Sequence, residues 1–505
     1  MRQKKLRLLS FCSSSRRSSL NQSPKDLVAT KMATRYECED AISSLPDEIL
    51  AQILSYLPTK RAASTSVLSK RWRTLFSLMN HLFASQHHLD FDDSYFLNPK
   101  LSKQQRSRRR NETGQSFRAF VDKTLLSCSN RPINKFSLKH REDDLHHMDQ
   151  TNRWISNVLE RGVSELHLRI KTTWFGRPPR PLPSDVFTNK TLVTLTLGTL
   201  LFVGIDPPKV FLPLLKSLSL DTVYYVEEEE GYSYSTSFAE VMLEGCPLLE
   251  EFFLNHVSID HKEAPDPSEI ISHQNLKRLT VNRRFQLCQQ MGFDTPNLVY
   301  LDYSDYSRYG IESANFLDSL VEARLDLDIP WRGRARTFRM NNITRAIECM
   351  TNVEILHLSS NTVKLMYNRL YDYWEEDQDD CGLSFPRFEN LVKLSFETRS
   401  KRQPRWKMLT VVMDKAPILE TLVLKGLYSI RYEGVSVNEN VVKVLEIYGY
   451  KGGRNELRQL NRFLSQMNCL QLIKVEIDAA IDDIDKRLQI TNDLLSLPKC
   501  QVQFL

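Results

Sequence analysis

Histidine and cysteine are the residue types whose spacing would first announce catalysis or metal binding in this chain. His87-His88 and His146-His147 are adjacent pairs. Neighbours in sequence point to different sides of a strand or a helix, so neither pair is placed to clamp one ion. The nine cysteines are odd in number and scattered, with no Cys-x-x-Cys pair. Such usage reads as reduced, intracellular thiols, not a disulfide framework or a zinc site. Cys128 and Cys246 lie near apolar runs and read as small core residues. A nucleophilic thiol would need an electropositive setting, and nothing around either one supplies it. Glycine, at 16 residues, is too scarce for phosphate-cradling loops to be a theme. No P-loop, Gly-x-Gly-x-x-Gly, His-Glu-x-x-His or Gly-x-Ser-x-Gly occurs. The expectation is a chain with no catalytic residue, no cofactor and no metal site.

The remaining chemistry is electrostatic, and its location matters more than its total. The net charge is +6, but Arg2, Lys4, Lys5, Arg7, Arg16, Arg17, Lys25 and Lys31 against Asp26 give residues 1–31 a balance of +7. The rest of the chain is therefore near −1. A nucleic-acid reader carries its basic excess on a folded face, and here the folded part is almost neutral. Residues 1–40 are rich in Ser, Arg and Lys without apolar periodicity, so they read as a disordered leader. The segment also resembles an organelle transit peptide, and Met32 is an alternative start. The basic run Lys100–Arg110 reads as a nuclear import signal or a solvated loop. Glu227–Glu230 and Asp372–Asp380 read as acidic loop insertions. No apolar stretch approaches the roughly 18–20 residues of a membrane span.

With chemistry of its own excluded, the elements must carry the function. At 505 residues and 41% hydrophobic content, the chain can form two or more units, or one long solenoid with an extensive core. Residues 42–80 read as three short helices. Pro46 suits a first helical turn, and Asp47 and Glu48 favour its positive end. Ile49, Leu50, Ile53, Leu54 and Leu57 then form the stripe of a helix with one buried face. Pro58 ends it, and Thr59 can cap a second helix containing Ala62 and Ala63. A third helix carries Leu68, Trp72, Leu75 and Met79 on one face. Some forty residues cannot bury that apolar surface alone. The segment is either a helical cap on the rest of the chain or a helix-on-helix partner site.

Ile-Ser-Ser-Leu-Pro-Asp-Glu-Ile-Leu, then Leu-Pro-Thr-Lys, then Ser-Val-Leu-Ser-Lys-Arg-Trp, all within Ile42–Trp72, resembles the F-box of plant F-box proteins. The resemblance implies binding to a Skp-type adaptor and, through it, to a cullin–RING ligase. It further implies that Leu45, Pro46, Ile49, Leu50, Ile53, Leu57, Pro58, Val67, Leu68 and Trp72 form or support that interface. Arg61 departs from the pattern, standing where the family often has an acidic residue.

Beyond this segment one motif recurs: an apolar residue, two others, an apolar residue, one other, and another apolar residue. It starts at Ile133, Val163, Leu192, Leu215, Leu249, Leu276, Leu298, Leu320, Val353, Leu391, Leu419, Val442 and Leu470. The mean period is about 28, inside the leucine-rich-repeat range. In a strand the last two anchors face inward together and the residue between them faces outward. Leu422 and Leu424 should thus be buried and Val423 should face the concave surface. Pro213, Pro247, Pro296 and Pro417 each lie two residues before an anchor leucine. There a proline would end one segment and open the strand without needing a ladder hydrogen bond. Spacings range from 22 to 38 residues, and only the copy at Val353 has an asparagine, Asn361, at the usual ladder position. The fold expected is an irregular leucine-rich-repeat solenoid, with parallel strands on one side and helices such as Trp154–Leu159 on the other.

At the carboxyl end, Asn455–Asn468 and Lys486–Leu497 read as amphipathic helices, the second closed by Pro498, and Cys500–Leu505 as a last strand. Val442–Leu505, with Glu446-Ile-Tyr-Gly-Tyr450, resembles the FBD domain of plant F-box proteins, without the Pro-Glu-Cys-Leu that often opens it. The fold class expected is α/β: a leader over 1–40, a small all-helical F-box over 41–82, irregular leucine-rich repeats over 83–430, and an α+β FBD cap over 431–505. The function expected is the non-catalytic substrate receptor of an SCF-type ubiquitin ligase, in the cytoplasm or nucleus. Its partners would be a Skp-type adaptor and a protein substrate. The alternatives are an F-box scaffold that ubiquitinates nothing, and a chromatin or RNA binder using residues 1–31 and 100–110.

Overall fold

Alternation of a strand-sized apolar motif with longer connections produces, in the computed structural model of the chain, one parallel ladder built in sequence order. The structure describes residues 42, 44–82, 88–96, 102, 104, 110–128, 132–142, 148–172, 180–205, 208–227, 233–235, 238–256, 269–283, 291–306, 317–328, 347–371, 385–397, 406–426, 441–497 and 501–505. The leader over 1–40, the acidic run Asp372–Asp380, most of Lys100–Arg110, and His87, His146 and His147 lie outside them. The chain divides into two units, Met1–Leu50 and Ala51–Leu505.

The helical segment holds α1 (Asp47–Ser55), α2 (Thr59–Ser64), a single 3₁₀ turn at Thr65–Val67, and α3 (Lys70–Leu82). The apolar stripe read as one buried face is in fact split. In the first unit Leu50 is buried and Ile49 exposed; in the second Ala51 and Leu54 are buried while Ile53 and Leu57 are exposed. Thr59 does not cap α2, whose N-cap is Pro58.

The strands that follow are β1 (His88–Asp92), β2 (Lys135–Glu142), β3 (Glu165–Thr172), β4 (Thr194–Ile205), β5 (Ser217–Glu227) and β6 (Ser233–Ser235). Next come β7 (Glu251–His256), β8 (Glu269–Ser272), β9 (Arg278–Arg283), β10 (Met291–Asp294), β11 (Tyr300–Asp305) and β12 (Glu322–Leu327). The last are β13 (Ile355–Leu358), β14 (Lys393–Glu397), β15 (Thr421–Lys425), β16 (Val444–Tyr450), β17 (Leu472–Ile477) and β18 (Gln501–Phe504). All join one sheet in chain order except β8 and β10, which pair with each other. Among the described strands only β6, turned back on β5, is antiparallel; Glu227 ends β5, and Glu228–Glu230 lie outside the described residues.

Register explains the core. One row runs through Leu89, Phe136, Leu166, Leu195 and Leu218 and continues to Leu422, Leu445 and Ile473. A second runs two residues on, from Phe91 and Leu138 to Leu424, Ile447 and Val475. Both rows are buried, as are all thirteen repeat starts, each of which leads one ladder strand. Each such side chain contributes about 1.5–3 kcal/mol by leaving water, which is why the register cannot slip by one. The connections behind the sheet take up the variation in spacing. Helices Met148–Glu160, Ser360–Tyr371 and Trp406–Asp414 fill longer ones, and the former buries Trp154, Ile155, Val158 and Leu159.

Two sequence readings of the joints are corrected. Leu215, Leu249, Leu298 and Leu419 each donate a backbone hydrogen bond three residues back, to Leu212, Cys246, Thr295 and Ala416. The prolines therefore sit second in a tight turn, where their fixed φ is pre-set; the strands open four residues later. Asn361 lies in the first turn of a helix and donates to Asp326 Oδ1 at 3.1 Å. Buried Thr362 fills the ladder role instead. Its Oγ1 donates to the Leu325 carbonyl and accepts from Leu327 N–H, both at 2.9 Å.

The carboxyl end carries helices Arg454–Ser465 and Ile484–Leu495 and the strand β18, close to the expected positions. Gly449, at φ +70, lets β16 bulge between Ile447 and Tyr450. A Cβ at Gly452 would meet Ile490 at 2.2 Å, so only glycine lets that loop approach the last helix. Buried Glu456 accepts from the N–H groups of Lys451 and Gly453 at 3.2 and 3.0 Å, closing the start of its helix.

Candidate functional site

The residues expected at the adaptor interface fall into three environments. In the first unit Leu45 is half-buried, Pro46 and Ile49 are exposed, and Leu50 is buried. In the second unit Ile53 and Leu57 are exposed, and Pro58 and Trp72 are half-buried. Val67 is 84% and Leu68 67% exposed. Leu68 therefore does not share the buried face of Leu75 and Met79; it stands at the end of the 3₁₀ turn, before α3 begins. Tyr56, 79% exposed, belongs with this surface too. Its place beside Leu57 at the end of α1 was the available signal. The backbone before α3 makes a single 3₁₀ turn, in which Leu68 N–H bonds to the Thr65 carbonyl at 2.9 Å, and the side chains of Val67 and Leu68 stand in solvent. Val67, Leu68 and Tyr56 thus leave large apolar side chains in water on a short segment.

The second surface is the outward face of the ladder. Its central row passes through Asp90, Ser137, His167, Thr196, Ser219, Phe253, Thr280 and Asp302. It continues through Arg324, His357, Ser395, Val423, Glu446 and Lys474. Phe253, 37% exposed, is the large apolar side chain it offers to solvent. Nearby the Arg278 guanidinium lies 4.1 Å from the Tyr300 ring centre, and Arg324 donates to Glu322 through Nε and Nη2 at 3.0 and 2.8 Å. Burial, with the carboxylates of Asp326 and Glu322, raises the Asp302 carboxyl above its usual range. Burial and then Arg324 push the His357 imidazole down to about 4, although Glu322 is 3.2 Å away. At neutral pH His357 is therefore an uncharged polar group on this face.

Val423 departs from expectation. It points to the outward row but is only 3% exposed. Lys393 on β14 reaches Glu446 on β16 at 3.5 Å, and β15 lies between them. That ion pair must cross above β15, which roofs Val423.

Of the thiols and histidines singled out in the sequence, Cys128, Cys246 and His88 are among the described residues. Cys128 and Cys246 are buried, and burial pushes the Cys246 thiol up to about 12, the opposite of activation. His88 is exposed on β1. Among the described residues no group of three or more His, Cys, Asp or Glu side chains could hold a metal ion. No described helix is long and apolar enough to cross a membrane.

Comparison with known proteins finds two family models. The F-box domain matches residues 42–83, and the leucine-rich repeats of the FBD-associated F-box protein At5g56370 match residues 151–373. Among Arabidopsis thaliana proteins, the F-box/LRR-repeat protein At5g25860 is 43% identical over 469 residues, covering 92% of this chain and 96% of its own length. The F-box/LRR-repeat protein At3g60040 is 39% identical over 481 residues, covering 92% and 96%. The F-box/LRR-repeat protein At1g06630 is 39% identical over 440 residues, covering 87% and 97%.

Proposed function

The chain belongs to the F-box/leucine-rich-repeat protein family, and from that premise we propose that it is the substrate-recognition subunit of an SCF-type cullin–RING ubiquitin ligase. In this reading Leu45, Pro46, Ile49, Ile53, Leu57, Val67 and Leu68 contact a Skp-type adaptor, while Leu50, Pro58 and Trp72 hold them in place. The observation that carries it is the exposure of Val67 and Leu68, large apolar side chains at the end of a 3₁₀ turn. The division proposed is a leader over 1–40, the F-box over 41–82, an irregular leucine-rich-repeat solenoid over 83–430 and an FBD cap over 431–505. The outward row of the solenoid holds a protein substrate beside a charged ubiquitin-conjugating enzyme.

Catalysis then needs no side chain of this protein. Tethering converts a bimolecular attack by an acceptor lysine into an effectively intramolecular one, and the gain comes from concentration and orientation. The adaptor and the cullin would meet the chain in cytoplasm or nucleus. The test is co-purification of the full-length chain with a Skp-type adaptor. Leu45→Ala with Pro46→Ala should abolish it while leaving the ladder folded; undiminished capture by that double variant would sink the proposal.

A further inference from the structure

The first strand of a ladder has an open edge, and open edges recruit unwanted strands unless something covers them. Here the cover is α2 of the F-box. The hydroxyl of Thr59, a buried residue, accepts from the backbone N–H of Asp90 on β1 at 2.8 Å, across 31 residues of chain. The next residue, Lys60, places its ammonium 3.4 Å from the centre of the Phe96 ring and donates to the Tyr95 carbonyl. Phe96 in turn packs edge-on against Phe117 and tilted against Phe120, on the helix Arg110–Ser127 behind the sheet.

The apolar cores do not provide this link. Ala51, Leu54, Ala62, Leu75 and Met79 are buried but stand outside the continuous ladder core, which begins at Leu89. The tie between the two is polar and specific: a hydroxyl on an edge N–H, and a cation on an aromatic face.

We infer that the second helix of the F-box is also the amino-terminal cap of the ladder, and that Thr59 and Lys60 are positioning residues that fix the outward face relative to α3. The inference rests on the receptor reading for its consequence: a substrate bound to the ladder is presented to the ligase in one orientation, not on a swinging tether. The clamp lies apart from Val67 and Leu68, so capping and adaptor binding use different side chains of the same segment.

The experiment uses the full chain, with hydrogen exchange read by amide and spin labels at exposed Arg73 on α3 and Arg169 on β3. Thr59→Val with Lys60→Met removes the acceptor and the cation while keeping volume. It should raise exchange across residues 88–92 by about tenfold, because the edge is no longer covered. It should also broaden the distance distribution between the labels and leave amides of β9 to β12 unchanged. Thr59→Ser with Lys60→Arg keeps both interactions and should restore the narrow distribution, which a volume effect would not. Unchanged exchange, or an unchanged distribution despite faster exchange, would overturn the inference. Affinity for a Skp-type adaptor is measured separately. If even the unaltered chain does not bind one, the receptor reading fails while the clamp result stands.

Discussion

Val67→Ala with Leu68→Ala separates docking from folding. Fully burying a Val or Leu side chain contributes about 1.5–3 kcal/mol. Val67 and Leu68 are 84% and 67% exposed in the free chain, so most of that gain is still available to a partner. After allowing for the Cβ that alanine keeps, the pair should cost about 2–3 kcal/mol of adaptor affinity, or roughly 30- to 150-fold in Kd. The same substitutions remove almost nothing buried from the free chain, so its stability should move by no more than about 0.5 kcal/mol. Leu75→Ala gives the mirror image. Leu75 is fully buried, and its truncation should cost about 2–5 kcal/mol of stability. The assay is titration calorimetry against a purified Skp-type adaptor, paired with urea unfolding of each variant. If Val67→Ala with Leu68→Ala bound the adaptor with unchanged affinity, or unfolded as early as Leu75→Ala, the assignment of these residues to an interface would be wrong.

Three further expectations concern the ladder. Leu422→Ala should cost about 2–5 kcal/mol in urea unfolding, and Val423→Ala roughly 1–2, since its cover is a lysine stem instead of the close-packed core; equal losses would contradict the two-faced strand. Thr362→Val strands the Leu327 N–H, while the Leu325 carbonyl keeps the Ser359 N–H at 3.0 Å, and should cost about 1–3 kcal/mol, whereas Asn361→Ala should cost less than about 1; the reverse order would restore Asn361 to the ladder role. Buried His140 faces Thr151 at 3.3 Å, packs beside Phe117 and Trp154, and has its imidazole pushed from 6.5 down to about 4 by burial and then by Arg118. The unfolded chain therefore takes up a proton near pH 6.5 that the folded chain refuses until about pH 4. Stability is full above that window and should fall by about 3 kcal/mol on acidification through it. His140→Phe should flatten that part of the pH profile, and an unaltered slope would show that another group causes it.

What could be read from the sequence was whatever repeats locally. The period-two anchors identified thirteen ladder strands because each strand makes the same demand on its own three residues. β1 escaped because Gln86 stands where the repeat would have its first apolar residue. The joints were found but misjudged. A proline at that position is legible, yet whether it opens a strand or a turn depends on a hydrogen bond three residues long. Thr362 was invisible for a related reason. Threonine in a helix has no special signature until its hydroxyl is seen between two backbone groups of the preceding strand. Asparagine carries a stronger expectation, and here it misled. A different asparagine pattern was available: Asn275 and Asn297, each just before an anchor, donate to the turn carbonyls of Pro247 and Gln274 at 2.8 Å. The roof over Val423 depends on side chains two strands apart, beyond any single-repeat pattern.

The F-box shows the same limit at the level of function. Its apolar excess posed a choice between a cap on this chain and a docking site for another, and under the proposed function the two do not exclude one another. A helix has more than one face, and a segment of some forty residues with a small core of its own has surface enough for both tasks. Thr59 and Lys60 turn toward β1, Tyr95 and Phe96. Val67 and Leu68 turn toward solvent. The two tasks constrain one another energetically as well. An edge cover that dissociated easily would leave β1 open, and a docking site on a loosely held helix would lose ordering entropy each time an adaptor bound. A clamp made of one hydroxyl and one ammonium meets both requirements without drawing on the apolar side chains that the proposed adaptor would use. That economy explains why Thr59 is buried on a helix it does not cap; Arg61, where the family often has an acidic residue, places its guanidinium 6.0 Å from the centre of the Tyr95 ring, on the clamp's side of α2.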